Sequence, residues 1–262
     1  VELQTLITDP LGRVRGKPEL ILIEAAKIID VPPPEIPADG PPDDLVAWLA
    51  RTDTDVSRAA ALVEEALAET DVQPGDLALL MDTAARRYLH DEPQAGRLIR
   101  TMQASTKIDW PKLFEAPARL SWAMQAWNGV LGDAAPIDVP ADLTGAVTGP
   151  ILGAKETAAG WIVIGGAGAN RYDMTKLVAV IDPAGDDVYR YGDAAPAVQI
   201  IVDAAGDDRH DATNTTRGPA CGLLGVSLLV DHAGDDRYEG GDLSCGVGAM
   251  GIGILLDHDG AD

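Results

Sequence analysis

The chain has 262 residues, with 20 Lys or Arg against 42 Asp or Glu and a net charge of -22. So acidic a surface repels nucleic acid and anionic membranes, so its natural counterparts are cations or basic partners. Hydrophobic residues make up 46%, enough for a real core and against global disorder, yet no stretch approaches the ~20 apolar residues of a membrane span.

From Pro18 to about Leu131 the periodicity is helical. Pro41-Pro42-Asp43-Asp44 sets up a helix start before LVAWLAR, with acids in the first turn. Val56, Ala59, Ala60, Val63, Ala66 and Leu67 form an apolar stripe at three-and-four spacing over 55–70. Pro74-Gly75-Asp76 opens a further helix through Tyr88, Pro93 another through Met102, and Pro111 a last one carrying Leu113, Leu120, Met124 and Trp127. Trp122 and Trp127 read as core aromatics and His90 as a solvated residue without a ligand partner at i+4. No phosphate loop, nucleophile elbow or HExxH occurs.

Pro136, Pro140 and Pro150 then break the pattern, and after Trp161 the chain alternates strands and turns. One short phrase recurs, beginning at Gly165 (GGAGANRYD), Asp182 (DPAGDDVYR), Asp203 (DAAGDDRHD), Asp231 (DHAGDDRYE) and Asp257 (DHDGAD). An apolar run precedes each copy. The fourth position is always glycine, and the eighth is Tyr172, Tyr189, His210 or Tyr238, a flat ring placed to stack on its equivalent in the next repeat. Recurrence of this kind predicts that Ile164, Ile181, Val202, Val230 and Leu256 occupy equivalent places in stacked units.

The fold expected on these grounds is a multidomain α+β protein. A mostly helical domain spans 1–132 and a linker 133–157. A parallel, β-helix-like β-solenoid follows over 158–262. The last repeat stops in mid-turn at Asp262, so one alternative is a fragment or processing product, with further repeats or a downstream chain as a partner.

Stacking has a consequence for the acids. Equivalent aspartates in paired strands lie ~4.8 Å apart, and two unit charges at that distance repel by roughly 0.9 kcal/mol even in water. From Asp182 onward there are 16 acids against 4 arginines and no lysine, so ion pairing within the segment does not neutralise them. The candidate metal ligands are Asp182, Asp186, Asp187, Asp203, Asp207, Asp208, Asp231, Asp235, Asp236, Asp257 and Asp262. All offer oxygen, which favours calcium with its irregular six-to-eight-fold shells, while magnesium demands a stricter octahedron and zinc prefers His or Cys. His232 and His258 share one repeat position. They are either imidazoles stacked on a turn surface or a pair for a transition metal. Cys221 and Cys245 read as small buried thiols, with pairing left open.

GGAGANRYD resembles the glycine-rich nonapeptide of the repeats-in-toxin calcium-binding proteins, G-G-x-G-x-D-x-apolar-x. The resemblance implies a turn that binds calcium between stacked units, its liganding position falling on Asn170, Asp187, Asp208, Asp236 and Asp262. It covers only about the last hundred residues. The first glycine is Asp in four copies, and the copies start 17, 21, 28 and 26 residues apart instead of running in tandem. The expected function is that of a calcium-binding surface or interaction protein, extracellular, on the cell surface or periplasmic, without catalysis in this chain. The alternatives are a polysaccharide-acting enzyme with paired carboxylates, or the upstream part of a larger hydrolytic protein.

Overall fold

The computed structural model describes residues 17–38, 42, 44–73, 75–77, 92–123, 131, 134–241 and 243–262. Among the described residues there are four α-helices: α1 (Pro18–Ile28), α2 (Leu45–Leu67), α3 (Glu92–Ala104) and α4 (Trp110–Leu120). The helix start set up by the prolines is capped by Asp44, whose carboxylate accepts the Ala47 N–H at 2.8 Å. The LVAWLAR segment and the apolar stripe after it form one continuous helix, α2. It buries Trp48, Val56, Ala59, Leu62, Val63 and Ala66. Asp109 caps α4 in the same way. Most of the helix expected from Pro74 to Tyr88, together with His90, Met124 and Trp127, lies outside the described residues. Trp122 is in the core, its ring centroid 5.9 Å from that of Trp48.

The strands are β1 (Val147–Thr148), β2 (Ile151–Thr157), β3 (Gly160–Gly165), β4 (Arg171–Asp173), β5 (Leu177–Asp182), β6 (Val188–Arg190), β7 (Val198–Asp203), β8 (Arg209–Asp211), β9 (Gly222–Leu223), β10 (Val226–Asp231), β11 (Arg237–Glu239), β12 (Gly248–Ala249) and β13 (Ile252–Asp257). They build a six-stranded sheet in the order β13-β10-β7-β5-β3-β2 and a five-stranded sheet in the order β1-β4-β6-β8-β11, with β9 and β12 as a small third pair.

This overturns the expected parallel β-solenoid behind a separate all-helical domain. Both large sheets are mixed: β2 runs antiparallel to β3, and β1 antiparallel to β4. Both of those strands come from the segment read as a linker, where prolines and glycines masked the short apolar runs. The helices belong to the same core as the large sheet. Leu22, Trp48, Leu62 and Leu113 pack in one cluster with Ile164, Ile181, Val202 and Val230, and Lys155 of β2 pairs with Asp53 of α2 at 3.1 Å. The molecule is a mixed α/β fold.

Every residue of β5, β7 and β10 is buried, which explains their unbroken apolar runs. Alternate side chains leave by opposite faces. Ile181, Val202 and Val230 face the helices, while Val180, Ile201 and Leu229 face the five-stranded sheet with Tyr172 and Tyr189. Burying each of these branched side chains contributes about 1.5–3 kcal/mol. Within the six-stranded sheet the repeats are in register: Ile164 pairs with Ile181, Ile181 with Val202, Val202 with Val230 and Val230 with Leu256. Cys221 is buried and Cys245 exposed, both as free thiols, so the expectation of two buried thiols holds for only one of them.

Candidate metal centre

The turns that join the two sheets carry the acids. Parallel pairing places Asp182, Asp203, Asp231 and Asp257 in one row at the ends of β5, β7, β10 and β13. The fourth-position glycines let successive turns touch: a Cβ on Gly206 would lie 1.7 Å from the Gly185 carbonyl oxygen, and one on Gly234 would lie 1.6 Å from that of Gly206. Backbone bonds hold this contact, with the Gly185 N–H donating to Ala205 O at 3.0 Å and the Gly206 N–H to Ala233 O at 3.1 Å.

The doubled acids at positions five and six do different things. Asp186, Asp207 and Asp235 are exposed and reach forward, each Oδ1 accepting an N–H of the following turn, from Asp207 at 3.1 Å, Asp235 at 3.0 Å and Ala261 at 3.1 Å. The sixth-position acids reach back. Asp187 accepts from the Asn170 N–H at 2.5 Å, Asp208 from Asp187 at 2.6 Å, Asp236 from Asp208 at 2.7 Å and Asp262 from Asp236 at 2.9 Å. That back-bond uses one oxygen of each carboxylate. The other, Oδ2 of Asp187, Asp208 and Asp236, is buried and has no hydrogen-bond partner.

The ring column meets the first-position acids. Tyr172, Tyr189, His210 and Tyr238 stack with centroids 5.1, 4.6 and 4.8 Å apart. Each tyrosine hydroxyl donates to the first-position acid of the next repeat: Tyr172 to Asp182, Tyr189 to Asp203, and Tyr238 to Asp257 at 2.8 Å. In the third repeat the ring is His210, whose Nε2 stops 4.0 Å from Asp231 Oδ2. Both Asp231 oxygens are consequently left without a partner, although the residue is fully buried.

Three groups of carboxylates converge between neighbouring turns and could hold a metal ion: Asp182 with Asp187 and Asp203; Asp203 with Asp208 and Asp231; and Asp236 with Asp257 and Asp262. Within each, one oxygen per residue lies within 4.8 Å of the others. The first two groups are buried, and the third opens toward solvent. Eight of the eleven sequence candidates are thus brought together, whereas Asp186, Asp207 and Asp235 stand outside every group. Comparison with protein-family models, curated proteins and solved structures gave no match.

Electrostatics set the metal-free state. Burial, reinforced by neighbouring carboxylates, pushes Asp182 and Asp231 up to about 9 and Asp208 up to about 8. Asp187 and Asp203 are raised to about 6, again chiefly by burial, with bonds from Asn170 and Tyr189 opposing it. Burial holds His210 neutral, down to about 3, so it brings no counter-charge to Asp231. Among the described residues no Lys or Arg ion-pairs with these acids; Arg209 and Arg237 are spent on Glu239 at the edge of the five-stranded sheet. Only protons or a bound cation can neutralise the groups.

Sequence reasoning missed the tyrosine hydroxyls as anchors of the acid row. No local spacing signals them, because the Tyr189 hydroxyl reaches Asp203 of the next repeat.

Proposed function

We propose that this chain is a calcium-binding surface or interaction protein, in which ions bridge successive turns and hold the acid-bearing edge rigid. The observation that carries this reading is the set of buried, unpartnered oxygens, Asp208 Oδ2 and both oxygens of Asp231, converging with Asp203. Leaving such acceptors buried costs about 1–3 kcal/mol each, and a hard cation satisfies several at once. The donor set is entirely oxygen in an irregular arrangement, which suits calcium better than magnesium. Calcium outside the cytoplasm fills weak sites that cytosolic levels leave empty, so the protein is expected to work on a cell surface, in the periplasm or in the extracellular medium.

Calorimetric titration of chelator-stripped protein tests the proposal. Saturable calcium binding, weaker with magnesium and reduced by Asp203→Asn, is the expected result. Stabilisation by calcium no greater than that by sodium at matched ionic strength would replace it with general charge screening.

A further inference from the structure

A different pair of side chains points to a second class of cation. His232 and His258 stand at the second position of consecutive repeats, where the two preceding repeats carry Pro183 and Ala204. The backbone fixes them side by side. Asp231 pairs with Asp257 across β10 and β13, and the ladder continues one residue further, the His232 N–H donating to Asp203 O at 3.0 Å and the His258 N–H to Asp231 O at 3.1 Å. Their rings meet edge to face, with centroids 4.9 Å apart, and the two Nδ1 atoms are 3.2 Å from one another.

We infer that His232 and His258 chelate a transition-metal ion of the zinc type through their Nδ1 atoms, at a site distinct from the carboxylate groups. The separation carries this. Zinc–imidazole bonds of about 2.0–2.1 Å at cis angles between the octahedral and tetrahedral values put the two nitrogens about 2.9–3.4 Å apart. In the metal-free pair, one ring donates its Nδ1 hydrogen to the other. Binding requires both rings in the Nε2–H tautomer, a shift between two neutral forms that leaves the charge of the pair unchanged. Two nitrogen ligands select against calcium and magnesium, which take oxygen. Water completes the coordination shell on the side of His258, which is exposed.

The test is a zinc titration of the full chain in saturating calcium, so that the carboxylate groups are occupied. One equivalent of zinc is expected, with affinity falling at least tenfold in His232→Ala and in His258→Ala while calcium binding by both variants is unchanged. In the unaltered protein, nitrogen-detected NMR of the imidazoles should show both Nδ1 resonances shifting on zinc addition. Zinc affinity equal in all three proteins, or Nδ1 resonances that do not move, would overturn the site. Loss of calcium binding in either variant would also overturn it, because the histidines would then not form a site distinct from the carboxylate groups.

Discussion

Replacing Asp208 by asparagine separates an ion ligand from a turn former. Asparagine keeps an Oδ1 that can accept the Asp187 N–H and removes only the charge. The metal-free protein carries Asp208 with its carboxyl raised to about 8. Against an unfolded value of about 3.9, holding that proton at pH 7 costs up to about 4 kcal/mol. The Asp208→Asn protein is relieved of this cost and is expected to be more stable in chelator, by up to that amount. Calcium acts in the opposite sense. At a hundred times Kd it adds about 2.7 kcal/mol to the native protein, whereas a hundredfold weaker site retains only about 0.4 kcal/mol. Urea melts of both proteins with calcium and with chelator measure the two increments. Asp207→Asn is the control next door: Asp207 is exposed and bonded to the Asp235 N–H, outside every cluster, and it should leave the calcium increment at its native size. Equal losses for Asp208→Asn in both buffers would refute the reasoning and leave Asp208 as turn chemistry.

Three further outcomes follow from the same geometry. Because Asp182, Asp208 and Asp231 are raised to about 9, 8 and 9, the metal-free fold holds protons that the unfolded chain has lost above about pH 4, so its stability should fall as pH rises from about 4 to 9; melts in chelator that show a rise across this window would contradict it. His210→Tyr supplies the hydroxyl that Tyr172, Tyr189 and Tyr238 give their acids but removes the Nδ1 that the Tyr191 hydroxyl meets at 2.8 Å; made together with Tyr191→Phe it should satisfy Asp231 and raise metal-free stability by about 1 kcal/mol, whereas a lower melting temperature of the double variant in both buffers would mean that the ring column has no room for the hydroxyl. Gly206→Ala forces a Cβ against the Gly185 carbonyl and should cost about 3 kcal/mol by chemical denaturation; a near-neutral result would show that the turns are not in close contact.

Much of the acid-bearing half was legible because its signals are local and repeat. The apolar runs, the invariant glycine and the stacking ring at position eight each recur at a fixed offset, and the observed register puts Ile164, Ile181, Val202, Val230 and Leu256 side by side. What was hidden is long-range. Nothing local in Ile151–Thr157 says that it pairs antiparallel with Gly160–Gly165, and a helical stripe such as Val56, Ala59 and Val63 does not name the surface that covers it. That surface is helix α4 together with the large sheet, which turns an expected pair of domains into a shared core. The orphaned state of Asp231 was equally out of reach, because it depends on an imidazole that stops 4.0 Å from the acid where three tyrosines reach theirs.

The most direct measurement is a crystal structure of the protein grown in millimolar calcium, with anomalous diffraction to identify the ion. The account predicts an anomalous peak bounded by the carboxylates of Asp203, Asp208 and Asp231, with oxygen ligands at about 2.3–2.6 Å. Carboxylates at the same positions with no ion between them, paired to one another through protons, would contradict it.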